Sequence, residues 1–147
     1  MSYFIFLKNS DNLEGRLYRI AENESDLNNL NIIQSDYKII EDTQENFNAV
    51  KFGTKFPIKY NNTITYVDQT ISFKNKEALQ NQINILKNQI KQFNENNLDH
   101  LLYNRWNNYY DQLSSLNLDN ITYPLNKSLE QYFNDLGQPS YNILQLP

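Results

Sequence analysis

Two runs of apolar residues in the second half of the chain restrict its fold more than any other feature. Leu79, Ile83, Leu86, Ile90 and Phe93 follow one another in steps of 4, 3, 4 and 3 residues. Leu102, Trp106, Tyr109, Leu113 and Leu116 repeat the same steps. Such spacing places each set on a single stripe of an α-helix. Only the polar stretch Asn94-Glu95-Asn96-Asn97 separates the helical patterns, and short connections make neighbouring helices antiparallel. The expectation is a helical hairpin whose two seams face each other, with Leu86 and Trp106 buried between them.

The first third carries a different period. Ser2 to Leu7 reads as a strand with Tyr3, Ile5 and Leu7 on one face and Phe4 and Phe6 on the other, so both faces need cover. Asn9 to Gly15 reads as a turn, and Arg16 to Ala21 as the second strand of an antiparallel hairpin. Glu24 to Leu30 reads as a short helix and Asp36 to Glu41 as a third strand. Gln44 to Phe52 fits a helical turn or a strand. Phe56 to Tyr60 and Ile64 to Val67 flank Asn61-Asn62, a turn pair that tolerates positive φ. Pro57 belongs at an edge or a strand start, because it cannot donate to a ladder. These pieces suggest one antiparallel sheet of four or five strands.

Beyond the hairpin, Leu125, Leu129, Tyr132, Phe133 and Leu136 form the stripe of a third helix. Pro124 suits its first position and Gly137 its left-handed cap. The tail that follows holds Tyr141, Ile143, Leu144 and Leu146 without a periodic partner, so it should dock in a groove, part of it supplied by another polypeptide. The fold class expected is α+β, with a β-rich region over 1–73 and a helical region with a docked tail over 74–147.

Composition then excludes several chemistries. The 147 residues include no cysteine and one histidine, which removes disulfides, thiolate metal sites and multi-histidine centres. The three glycines, Gly15, Gly53 and Gly137, lie too far apart for a phosphate loop. A net charge of -4 is the wrong sign for a duplex-binding domain. Asparagine is abundant, with 25 residues, alongside 11 tyrosines and 8 phenylalanines. Residues with AT-rich codons dominate, which reads as the bias of an AT-rich genome. No secretory leader or membrane span is visible, so synthesis and folding in a cytoplasm are expected.

Chemical candidates are few, and each has a plainer structural reading. His100 beside Asp99 could act as an oriented base, but adjacent helical residues do not face each other. A helix-start role is expected for it instead. Glu22, Glu24 and Asp26 alternate as calcium ligands can, yet the spacing of a calcium loop is missing, and pairing with a helix start accounts for them. Arg105, Trp106, Tyr109 and Tyr110 could stack on bases or sugars. Packing in the seam accounts for Trp106 and Tyr109, which leaves Tyr110 for an interface. No catalytic residue, metal or cofactor is expected. The residues expected to contact a protein partner are Tyr110, Tyr141, Ile143 and Leu146.

The stretch Arg105-Trp106-Asn107-Asn108-Tyr109-Tyr110-Asp111-Gln112-Leu113, followed by a chain that reaches Leu146-Pro147, resembles the C-terminal part of tailed-phage tail and tail-fibre assembly proteins. Those carry a tryptophan-tyrosine-leucine helix and a proline-containing tail. The chain also looks like small structural proteins of contractile-tailed phages of marine cyanobacteria, whose genomes are often AT-rich. The resemblance implies a non-enzymatic component of a phage particle, in its tail, neck, baseplate or fibre attachment. Its partners would be other phage structural proteins in an oligomeric assembly, with no nucleic acid and no membrane. It would be made in the host cytoplasm and located in the virion. A tail-fibre assembly chaperone is the alternative, and a small enzyme or ligand-binding domain is a third reading.

Overall fold

The structure, a computed structural model, describes residues 1–8, 15–33, 35–60 and 62–147. The turn expected over Asn9 to Gly15 and the conformation of Asn61 therefore fall largely outside the described residues. The chain divides into two compact units, Met1–Gln69 and Thr70–Leu146. Mixed strand and helix content, with the strands first, makes the fold α+β.

In the first unit, β1 (Ser2–Leu7) lies between β2 (Leu17–Ala21) and β3 (Tyr37–Asp42), antiparallel to both. A central strand that is apolar on both faces explains why Phe4, Ile5 and Phe6 are all fully buried. Ile5 packs with Ala21 and with Leu27 and Leu30, at and just past the end of α1 (Glu24–Asn29). On the opposite face, the Phe4 ring meets Tyr66 edge-on at 6.0 Å, and α2 (Gln44–Lys51) packs against β1. The segment that fitted either helix or strand is thus a helix. Thr43 caps its start, and Gly53, at φ 81°, reverses the chain after it.

The remaining strands, β4 (Lys55–Tyr60) and β5 (Thr63–Asp68), form a separate two-stranded sheet, not an extension of the first. This corrects the expectation of a single sheet of four or five strands. The α2 helix intervenes between β3 and β4, and β1 has both of its edges occupied already. Tyr60 pairs with Thr63, leaving two residues between the strands, and Pro57 pairs with Tyr66.

The second unit contains α3 (Lys76–Asn96), α4 (Tyr103–Ser114) and α5 (Leu129–Asp135). Asn75 accepts the Ala78 amide at 2.9 Å and starts α3. The helix continues through Asn94, Glu95 and Asn96 before Asn97 caps it. The break therefore comes later than the polar run suggested, because Phe93 and Asn94 are still buried in the helix. Leu79, Ile83, Leu86, Ile90 and Phe93 share one core with Leu102, Trp106, Tyr109 and Leu113. Lys87 sits over the Tyr110 ring, while Lys91 and Asn94 share a cleft with Tyr103 and Asn107. Early residues of one helix meet late residues of the other, so the pair is antiparallel.

The third helix starts later than expected. Leu125 exchanges two backbone hydrogen bonds with Phe73, at 2.8 and 2.9 Å, which commits it to an extended pairing. Ser128, not the residue before Pro124, caps α5 by accepting the Gln131 amide at 3.1 Å. The end is as the glycine predicted. Gly137, at φ 70°, donates to Asn134, and Gln138 donates to Phe133 at 2.9 Å, the paired bonds of a Schellman cap.

Candidate interaction surface

Helix α4 is the platform on which the candidate residues meet. Trp106, Tyr109 and Leu113 face inward and are buried. Arg105, Asn108, Tyr109 and Gln112, at the i, i+3, i+4 and i+7 positions of one face, line a cleft of about 320 Å³ with Pro139 and Tyr141. The opposite shoulder carries Tyr110. The Lys87 ammonium lies 5.0 Å from the Tyr110 ring centroid, a cation–π contact.

The C-terminal segment closes onto this platform. The Tyr141 ring is 5.7 Å from Trp106 and 5.7 Å from Tyr109, with the Arg105 guanidinium 5.3 Å from its centroid. Gln112 Nε2 donates to the Pro139 carbonyl at 2.9 Å. Asn142 starts a short 3-10 turn over Ile143–Gln145, receiving the Leu144 amide on its side chain, while its own amide donates to Gln145 Oε1. Ile143 is half-buried against the core, and Leu146 is 6% exposed within it.

The groove that holds the tail is built at least in part by this chain's own unit, with the aromatic face of α4 on one side. Leu146 is buried in this groove, while Tyr141 and Ile143 keep part of their surface exposed. The physical reason is non-local. The tail lacks a periodic partner nearby in sequence, but the aromatic face of α4, some 30 residues earlier, covers it.

Tyr110 has the more open setting. It lines a second cleft, of about 270 Å³, with Lys91, Asn94, Glu95, Leu98, Tyr103 and Asn107. Asn94 is 9% exposed, and its Oδ1 has no hydrogen-bond partner in the protein. Beside this cleft, in the connection between α3 and α4, Leu98 is 66% exposed and Leu101 is 72% exposed. Sequence reasoning passed over these two leucines. Their signal was available: both lie outside the heptad seam, in a polar connection where nothing local can cover them.

The chemical candidates resolve into structure. His100 Nδ1 accepts the Leu102 amide at 3.0 Å, just ahead of α4, and its ring meets Phe93 edge-on. Asn23 caps α1 through the Asp26 amide, and Glu22 accepts from Gln44. Among the described residues, no group of three or more metal-ligating side chains converges, and no helix is long and apolar enough to cross a membrane. The Tyr109 hydroxyl is buried without a hydrogen-bond partner. Burial first, and the nearby Glu130 charge second, push its ionisation far above the ordinary tyrosine range.

Comparison with known protein families, with curated proteins and with solved structures finds no match to this chain.

Proposed function

We propose that this protein is a non-enzymatic structural component of a tailed-phage particle, in its tail, neck, baseplate or fibre attachment. It is held there by protein–protein contacts at the α3–α4 end of its helical unit. The observation that carries the contact site is the exposure of Leu98 and Leu101 beside the Tyr110 cleft. The phage setting is supported by the resemblance of Arg105 to Leu113 to tail and tail-fibre assembly proteins.

Magnitudes favour an assembly over an isolated pair. Covering two largely exposed leucines contributes roughly 2–4 kcal/mol. Association costs about 4–15 kcal/mol in lost freedom. The tip alone does not offset that cost, so it acts as one contact among several in an assembly that supplies high effective concentration. Quantitative mass spectrometry of purified particles tests the reading. A stoichiometric amount of this polypeptide fits a component of the particle. Its presence in infected cells but absence from particles fits an assembly chaperone instead.

A further inference from the structure

We propose that β5 is a dimer edge. It pairs antiparallel with β5 of a second copy of this chain, which joins two β4–β5 hairpins into one four-stranded sheet with a two-fold axis at Tyr66. The register shows which backbone groups are available. The Gln69 amide donates to the Thr54 carbonyl at 2.9 Å, just beyond the ends of β5 and β4. Bonded and non-bonded pairs alternate along an antiparallel ladder. Within the hairpin the bonded pairs are therefore Phe56 with Val67, Ile58 with Thr65 and Tyr60 with Thr63. Pro57, opposite Tyr66, falls in a non-bonded pair, which suits a residue with no amide hydrogen. The amides and carbonyls of Ile64, Tyr66 and Asp68 then point away from β4. Among the described residues no further strand pairs with β5.

The other outer strands are blunted in the ways natural sheets use, by charge, proline or a bulge. β2 shifts register against β1 with an extra residue, Tyr18. β3 carries Lys38, Glu41 and Asp42. On β4, Pro57 stands between Lys55 and Lys59 at the outward positions. β5 has none of these devices. Five of its six residues are β-branched or aromatic, and its one charge, Asp68, is at the end. Thr63, Thr65, Val67 and Asp68 are exposed.

A second copy is the occupant because the strand complements itself. With Tyr66 opposite Tyr66 of the second copy, the outward groups of Ile64, Tyr66 and Asp68 meet their own counterparts in about six backbone hydrogen bonds. Val67 then faces Thr65 of the second copy in the closer, non-bonded kind of pair. Phe56, 43% exposed, lies beside Val67, and Ile58, 40% exposed, lies beside Thr65. The exposed apolar residues of the two hairpins thus merge into one face. Asp68 comes opposite Ile64 of the second copy, about 13 Å along the strands from the other Asp68. That separation exceeds the screening length of about 8 Å at physiological salt, so the like charges do not oppose pairing.

The test is sedimentation velocity of the full chain from about 10 μM to about 1 mM, with NMR amide exchange over the same range. A single strand edge buries less than the roughly 800 Å² per partner of a standard interface, so the dimer is expected towards the upper concentrations. As concentration rises, the amides of Ile64, Tyr66 and Asp68 should gain protection. Those of Thr65 and Val67, already bonded within the hairpin, should not. Thr65→Lys places two lysines diagonally across the joined edges and should raise the dimer Kd at least about tenfold, with an unchanged circular dichroism spectrum. Leu98→Asp with Leu101→Asp should leave the dimer intact, because the edge acts independently of the α3–α4 tip. A monomer throughout the range, a dimer unaffected by Thr65→Lys, or concentration-dependent protection that spares Ile64 and Tyr66 overturns the proposal. The alternating protection in the wild type decides the matter even if the lysine variant misfolds.

Discussion

Trp106 and Tyr141 lie with their ring centroids 5.7 Å apart, which joins the first turn of α4 to the first apolar residue of the tail. Tyr141, Ile143 and Leu146 all pack on the core that α3 and α4 build. Deleting Tyr141 to Pro147 should therefore unfold or severely destabilise the helical unit. Leu146→Ala alone should cost about 2–5 kcal/mol, the range for a large-to-small change in a core. Urea denaturation followed by Trp106 fluorescence measures both. A truncated chain with wild-type stability would show that the tail is an appendage.

The seam itself is tested at Leu86, which is 4% exposed between the helices. Leu86→Ala should destabilise by about 2–5 kcal/mol. Ile85, one residue away, is 55% exposed, so Ile85→Ala should cost under about 1 kcal/mol. Equal losses at the two positions would contradict the assigned helix face.

These helices were legible in the sequence because a 4-3-4-3 spacing reports a face directly. Ser2 to Leu7 was legible for a similar reason, since only a strand covered on both sides can bury Phe4, Ile5 and Phe6 together. What was hidden depends on contacts between distant residues. Pro124 offered a helix start, but the pairing of Leu125 with Phe73 claimed that stretch first. Asn94 to Asn96 looked like a break, yet burial at Phe93 and Asn94 carries the helix through them. Of the candidate contact residues, Tyr110 was readable as off the seam. The inward placement of Leu146 was not readable, because its cover comes from Trp106 and its neighbours far upstream. Leu98 and Leu101 required knowing where α3 ends.

In the first unit, Tyr66 donates its hydroxyl hydrogen to Asp42 Oδ2. The same carboxylate accepts the Thr43 amide and the Asn46 side chain on Oδ1. Burial pushes the Asp42 carboxyl up, but the hydrogen bonds from Tyr66, Thr43 and Asn46 outweigh it and hold the carboxyl below its ordinary range. A group depressed in the folded state stabilises above its unfolded value of about 3.9 and loses that contribution as pH falls through its lower folded value. Tyr66 is shifted the other way, by burial first and then by its bond to Asp42. Its contribution is present below its unfolded value of about 10 and fades as pH rises beyond it. Tyr66→Phe should therefore flatten both the acid and the alkaline loss of stability, read from the NMR signals of Phe4 in urea. Identical pH profiles for the two proteins would show that the pair contributes nothing.

Gly15 meets a different constraint. A Cβ at this position would collide with the Leu7 carbonyl oxygen, next to the bond in which the Leu7 amide donates to the Arg16 carbonyl at 2.9 Å. Gly15→Ala should lower stability by about 1–3 kcal/mol through displaced backbone. Amide exchange at Leu7 reports it, and unchanged protection there would contradict the close approach.

The account as a whole rests on the end of the helical hairpin being the surface by which this chain joins an assembly. Leu98→Asp with Leu101→Asp places charge on that surface without touching the core, so circular dichroism and the unfolding midpoint should match the wild type. The decisive quantity is the amount of the double variant in purified particles relative to the wild type produced in the same way. The account predicts a folded protein that is at least about tenfold depleted from the particle, the scale of about 1.4 kcal/mol of lost contact. Incorporation of the folded variant at the wild-type level would contradict it.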